Sequence, residues 1–206
     1  MIATLIYNTP ELVEKLRAQI PDIFIIDAGS TIPIPGANLR YDENRYWVGN
    51  WDRFLRSIDA EYVWMLNSDV EGVSKEMYLD LVDTMLTGDL LMITPAFNSP
   101  HSLFHKRKTY LTREVNWIDM TCPVINVDMY KKLGGFDLQF KGYFADVDLS
   151  YRARLAGLIM AIDDMQEVNH IGSYTVQKEN KWEQAHAGDS ELIVNKWGKT
   201  WTELCL

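Results

Sequence analysis

With 206 residues, 47% of them hydrophobic, the chain is long enough to bury a sizeable core as one large domain, and its composition excludes a wholly disordered chain. A net charge of −9 argues against a broad nucleic-acid surface, and no apolar run approaches the ~20 residues of a membrane span. Two distant cysteines, Cys122 and Cys205, make no disulfide framework, so a reducing cytoplasm is the expected compartment, with the fold beginning at Met1.

In chain order, Ala3 to Tyr7 reads as a buried strand. Thr9-Pro10-Glu11 then predicts a helix with Thr9 as its cap and Pro10 at the first helical position, its apolar side formed by Leu12, Val13 and Leu16. A second apolar strand, Ile23 to Ile26, stops at Asp27-Ala-Gly-Ser30, and Pro33, Pro35 and Gly36 mark a loop. A helix over 47–58 leads into YVWMLNSDVEG, a strand that turns abruptly polar at Asn67 and Asp69. Ser74 caps a helix through about Leu86, with Met77, Leu81, Val82 and Met85 on one side.

Leu90 to Ile93 reads as a strand closed by Thr94-Pro95. A loop from Asn98 to Lys108 follows, carrying the basic cluster His105-Lys-Arg-Lys108, which is expected to be solvated but could meet an anionic substrate. The next stretch has no clear pattern. Val124 to Val127 reads as a strand, a short helix ends at Gly134-Gly135, a helix over Asp146–Ala156 is stopped by Gly157, and Leu158 to Ile162 is a further short strand.

Helices alternating with continuously apolar strands predict an α/β fold: a Rossmann-like single domain over 1–206, with a mostly parallel central sheet flanked by helices. Ligands of such sheets bind beyond the carboxyl ends of the strands, where Tyr7-Asn8, Asp27 to Ser30 and Asn67 to Asp69 all fall. No GxxxxGKS/T, GxGxxG or GxSxG motif stands in context, so a P-loop kinase, a dinucleotide dehydrogenase and a serine hydrolase lose support. Without a phosphate cradle, a phosphorylated ligand would need a divalent cation, and Asp69 is the obvious carboxylate to hold one.

Taken in order, several segments resemble the family 2 glycosyltransferases, with their nucleotide-sugar-binding GT-A fold. LIYNTPELVEKL is similar to the family's first strand and helix, and IIDAGS to its nucleotide-contacting turn. GNWDRFLRSIDAEYVWMLNSDV resembles the helix, strand and metal motif, LGGFDLQFKGYFADVDLSYRARLAG the catalytic segment, and NHIGS and KWG its later signposts. The resemblance implies that Asp27 contacts the nucleotide base, with Tyr7, Asn8 and Asn67 lining that site. It implies that Asp69 coordinates Mn²⁺ or Mg²⁺ against the diphosphate, with His170 as a further ligand, and that Asp146 is the general base. Trp117, Gly135 and Asp148 would lie on the acceptor or sugar side.

Residues 1–95 would form the nucleotide-sugar half and 96–206 the acceptor and catalytic half. The implied reaction is transfer of a hexosyl group, with inversion, from a UDP-, GDP- or dTDP-linked donor to an acceptor hydroxyl. The residue types suit that chemistry, since a cation stabilises the charge growing on the leaving diphosphate and a carboxylate takes the acceptor's proton. Asp148 also stands four residues before Arg152, the spacing of a helix ion pair. Ala145 replaces the first acid of the family's Glu-Asp pair, and Asn67 stands where a second metal-site acid is common. These departures motivate an alternative, a non-catalytic nucleotide-sugar or glycan-binding relative.

Overall fold

The computed structural model describes residues 1–98, 104–172 and 182–206. Residues 99–103 of the expected loop and Ser173 of NHIGS lie outside the described residues. In chain order the elements are β1 (Ile2–Ile6), α1 (Glu11–Gln19), β2 (Phe24–Asp27), β3 (Leu39–Arg40), α2 (Tyr46–Ser57), β4 (Tyr62–Leu66), β5 (Val70–Glu71), α3 (Lys75–Leu86), β6 (Leu90–Asn98), β7 (Thr112–Glu114), β8 (Val124–Asn126), α4 (Val127–Lys132), α5 (Ala145–Leu155), β9 (Ile159–His170), α6 (Trp182–Trp197) and α7 (Trp201–Cys205).

The strands form one sheet in the order β3-β2-β1-β4-β8-β6-β9-β5, with β7 alongside β9. Strands β1 to β4 pair in parallel, as do β6 and β9, while β8 runs antiparallel between β4 and β6. The sheet is therefore mostly parallel, with β8 reversed at its centre and β5 and β7 reversed beside β9.

Both faces are covered, and β4 shows how. Val63 and Met65 join the cluster built with Val48, Trp51, Phe54 and Leu55 of α2, whereas Trp64 and Leu66 face Val13 and Leu16 of α1 and Leu81 and Met85 of α3. Alternate residues on a strand point to opposite faces, so a strand covered twice must be apolar throughout. That is why the alternating pattern of a half-exposed sheet is missing from the sequence.

The structure corrects several expected boundaries. Pro10, not Thr9, is the N-cap of α1, and the helix opens through the carbonyls of Thr9 and Pro10 without a side-chain cap. Ser74 does cap α3, accepting from the Met77 N–H. β6 continues through Pro95 to Asn98 because the register with β9 shifts between Pro95 and Ala96, a bulge that absorbs the missing proline donor. The two expected halves therefore meet inside a strand. β9 likewise runs on to His170 rather than ending at Ile162.

Around the turn after α4, Asp52 of α2 accepts from the Tyr130 hydroxyl at 2.7 Å, the Phe136 N–H at 3.3 Å and Arg56 Nε at 2.8 Å. Gly135 sits against this cluster at φ +74°, where a Cβ would strike Arg56 Nη2 and Asp52 Oδ1. Gly135→Ala therefore combines left-handed backbone strain with a clash. It is expected to lower stability by about 2–3 kcal/mol, read as a lower urea midpoint at unchanged slope.

Candidate active site

The reversed strand brings the site together. Because β8 is antiparallel to its neighbours, the segment leading into it emerges at the edge where β4, β6 and β9 end. The Asn67 N–H donates to the Thr121 carbonyl at 2.8 Å, and the Met65 N–H to that of Pro123 at 2.9 Å. Along 117–120, half-buried Trp117 and Asp119 alternate with buried Ile118 and Met120.

A polar line runs across this edge. Asp69 Oδ1 lies 3.2 Å from His170 Nε2, at the ends of β4 and β9 respectively. His170 Nδ1 lies 3.5 Å from the Thr121 hydroxyl, which donates to Asp119 Oδ1. Asp119 is near enough to Asp146 for its charge to act on that carboxyl, and Trp117 Nε1 donates to Asp146 Oδ2 at 2.9 Å. The pair on which a metal-and-base reading depends, Asp69 and Asp146, thus belongs to one continuous constellation. Burial first, and then the neighbouring Asp119, push the Asp146 carboxyl up to about 7, against the opposing Trp117 hydrogen bond.

The loop before α5 holds Asp146 in place. Asp189 of α6 is buried, and its carboxylate accepts from the Lys141 N–H at 3.1 Å and from those of Gly142 and Tyr143 at 2.8 Å. Trp47 Nε1 donates to the Gly142 carbonyl at 2.9 Å. Phe144 then adopts a left-handed φ of 59°, a strain held by its buried ring, which stacks on Trp201 at 5.9 Å.

Asp27 and Asn8 hold the backbone at the ends of β1 and β2. Asp27 is fully buried; it accepts from the Ser30 and Ile34 N–H groups at 2.8 and 3.1 Å and pairs with Arg40. Burial raises its carboxyl, but these donors and the Ser30 hydroxyl outweigh it and leave the group below its ordinary value. Asn8 joins the ends of β1 and β2, its N–H donating to the Ser30 hydroxyl at 3.0 Å and its side-chain oxygen accepting from the Thr31 N–H at 2.9 Å. Tyr7 and Asn67 are half-buried at the same edge.

Asp148, expected toward the acceptor, is instead fully buried. It is bound by Arg152 Nε and Trp197 Nε1, each at 2.9 Å, and by Lys196 Nζ at 2.7 Å. These bonds tie α5 to α6, and the pair with Arg152 is the one its spacing suggested; Gly135 packs against Asp52 and Arg56.

Sequence reasoning missed Asp119 and Thr121, and it expected His105 in a solvated basic cluster, whereas the His105 ring is fully buried. The Asp119 N–H donates to His105 Nε2 at 3.1 Å, and burial pushes the His105 ring down to about 4, so the ring is neutral at pH 7. The alternation in Trp117-Ile-Asp-Met-Thr121 was the available signal, since period two sets residues 117, 119 and 121 on one side of an extended chain.

Among the described residues no group of three His, Cys, Asp or Glu is gathered to hold a metal. Asp69 and His170 offer a carboxylate and an imidazole; with phosphate oxygens and water completing the shell the carboxylate fits either Mn²⁺ or Mg²⁺, and the nitrogen ligand favours Mn²⁺ over the harder Mg²⁺. A pocket of about 320 Å³ is walled by Phe104, Arg113, Trp117, Ile162 and Cys205 among others; Asp146 does not line it but is hydrogen-bonded to its Trp117.

No family model matches the chain. The uncharacterized protein Rv1525 of Mycobacterium tuberculosis (strain ATCC 25618 / H37Rv) is 27% identical over 209 aligned positions, covering 93% of this chain and 80% of that protein. The uncharacterized protein Mb1552 of Mycobacterium bovis matches to the same extent. Among solved structures, GalNAc-T7 with UDP, GalNAc and Mn²⁺ superposes with a TM-score of 0.66 at 11% identity, over 82% of this chain and 42% of that one. S. aureus TarS 1-349 gives 0.58 at 13% identity, over 84% and 60%. The chain thus spans less than two thirds of the length of either solved protein. These likenesses establish a GT-A-like glycosyltransferase fold.

The raised Asp146 carboxyl has a consequence for stability. Between about pH 4 and pH 7 the folded state holds a proton that the unfolded chain has released, so this group's contribution to stability falls as pH rises across that window. Asp146→Asn removes the effect. The variant's melting temperature relative to wild type is expected to be higher at pH 8 than at pH 4.

Proposed function

We propose that this chain is a glycosyltransferase that moves a sugar from a nucleotide-linked donor to an acceptor hydroxyl, with Asp146 as the general base and inversion at the anomeric carbon. The observation that carries the reading is the continuous line from Asp69 through His170, Thr121 and Asp119 to Asp146, lying along one sheet edge of a GT-A-like fold. Asp69 and His170 would hold Mn²⁺ or Mg²⁺, which would neutralise charge on the departing nucleoside diphosphate. GalNAc-T7, in its structure with UDP and Mn²⁺, supports this choice of ligands.

This chain's own residues supply the remainder. The donor's nucleotide would lie over the β1 and β2 ends, where Tyr7 and Asn67 are half-buried, while the Asp27 network keeps that floor rigid. The acceptor would enter the pocket walled by Trp117 and present its hydroxyl to Asp146. Trp117, donating to Oδ2, orients the carboxylate. A base with a pKa of about 7 matches the operating pH and accepts a proton more readily than an ordinary aspartate. As the proton moves to Asp146, the acceptor oxygen attacks the anomeric carbon from the face opposite the diphosphate, so one displacement inverts the centre without a covalent enzyme intermediate.

A second reading, a donor-binding protein without turnover, rests on Ala145. That residue is fully buried at the start of α5 and supplies no carboxylate beside Asp146. The deciding experiment incubates the protein with UDP-, GDP- and dTDP-sugars, Mn²⁺ and an acceptor panel. Release of nucleoside diphosphate is expected, falling by roughly 10²–10⁴-fold in Asp146→Asn. Its rate should rise with pH through about 7 and then level, because the base acts ionised. Asp69→Asn and His170→Ala should each weaken Mn²⁺-dependent donor binding, and NMR of the product should show the inverted anomer. Tight donor binding with no release in wild type would favour the binding protein.

A further inference from the structure

The turn between Phe104 and Arg113 is folded with its polar atoms inward and its apolar side chains outward. Its anchor is Asp164, whose side chain is fully buried. Asp164 Oδ2 accepts from the N–H groups of Lys108 and Thr109 at 3.2 and 3.0 Å, from the Thr109 hydroxyl at 3.0 Å and from Arg113 Nε at 2.9 Å. Arg113 Nη2 also donates to the carbonyls of Phe104 and Lys106. With the backbone pinned from inside, the apolar groups face solvent: Tyr110 is 77% exposed, Leu111 70% and Phe104 42%. Met165, 55% exposed, adjoins them through its carbonyl, which accepts from Arg107 Nη2 at 3.3 Å.

Scattered exposed hydrophobes need no explanation, but four large ones around a single pinned turn do. The same turn carries Lys106, Arg107, Lys108 and Arg113 in a chain of net charge −9. Arg107 pairs with Glu167 and Arg113 with Asp164, whereas Lys106 and Lys108 make no ion pair among the described residues. Glu114 also borders the pocket. Apolar side chains beside unpaired cations are the combination that an anionic bilayer attracts, one part entering the interface and the other meeting headgroup phosphates. Because charge is screened within about 10 Å, the acidity of the rest of the chain does not cancel a local basic rim.

We propose that this turn is a contact surface for an anionic lipid bilayer, with Tyr110 and Leu111 entering the interface and Lys106 and Lys108 meeting the headgroups. Phe104 and Lys108 border the pocket beside Asp146. A bilayer seated there would bring a lipid-linked acceptor hydroxyl to the base. That last clause rests on the transferase reading; the bilayer contact does not.

The test is co-sedimentation of the whole chain with vesicles of phosphatidylcholine alone and of phosphatidylcholine with 30% phosphatidylglycerol. Binding to the mixed vesicles is expected to exceed binding to the neutral ones at least fivefold at low salt and to fall as salt rises. Leu111→Asp and Lys106→Glu should each reduce it at least threefold. Tyr110→Trp should add a fluorescence component quenched by brominated acyl chains, a readout independent of how Leu111→Asp folds. Equal binding to both vesicles, no binding, or full binding by Leu111→Asp overturns the proposal. So does vesicle-free self-association, seen by sedimentation velocity, that Leu111→Asp abolishes, because the surface would then belong to a second copy. Nucleoside diphosphate release is measured separately, without vesicles. Vesicle binding with no turnover on any acceptor sinks the transferase reading alone, and turnover without vesicle binding sinks this one alone.

Discussion

The direction of one strand governs the site. Were β8 parallel to its neighbours, the segment before it would reach the opposite edge of the sheet and Asp119 would never meet Asp146. Running antiparallel between β4 and β6, it forces Trp117, Asp119 and Thr121 across the ends of the parallel strands. Backbone hydrogen bonds from Met65 and Asn67 hold that crossing, so its geometry does not depend on side-chain packing alone. His170 arrives at the same edge only because β9 is long enough to carry it there.

The acids of this chain divide by what surrounds them. Asp27 and Asp164 are buried, but N–H groups, hydroxyls and guanidinium groups overcome the burial and hold both carboxyls below their ordinary range. Asp52, Asp148 and Asp189 are likewise each gripped by several donors. A buried carboxylate held by several donors is a fixed bracket, although in Asp164 all of them go to Oδ2 and Oδ1 has no partner among the described residues; each of these acids ties a loop or turn to a helix or strand. Asp146 is different: burial and the neighbouring Asp119 outweigh Trp117 and the nearby backbone donors, and its carboxyl is pushed up. That under-compensation marks a group whose proton can move near neutral pH.

Two kinds of surface therefore meet around Asp146. On one side lies the acidic and imidazole edge of Asp69 and His170, suited to a cation and a diphosphate. On the other lie the aromatic wall of Trp117 and Phe104 and the outward-facing turn built on Asp164. The donors converging on Asp189 set the loop before α5, so α6 is tied to the position of the Asp146 carboxylate.

Local pattern was enough to make the α/β fold legible. Strands covered on both faces must be apolar throughout, Ser74 announced its helix, and the polar residues after β1, β2 and β4 pointed to a single edge. Asp69 and Asp146 could be singled out because each stands at the end of an element that could be read, whereas His170 rested on the resemblance of NHIGS alone, since β9 runs past the strand the sequence showed. Asp119 and Thr121 could not be ranked, since their segment forms no regular element and owes its place to a strand whose direction is a long-range property. The spacing of Asp148 from Arg152 already set it apart from Asp146, two residues away on one helix, but the donors from α6 that bury Asp148 were not legible. A separation of two positions puts them on different sides of the helix: Asp148 meets Trp197, Lys196 and, one turn on, Arg152, whereas Asp146 meets Trp117 and lies near Asp119. The sequence by itself determined the main strands and helices up to Ile162 and the face each must bury, because those follow from side-chain periodicity; the short strands β3, β5 and β7 and the helices α6 and α7 were not read from it. Only the tertiary structure decided which carboxylates are satisfied and which are strained, because that depends on donors and charges brought together from distant parts of the chain.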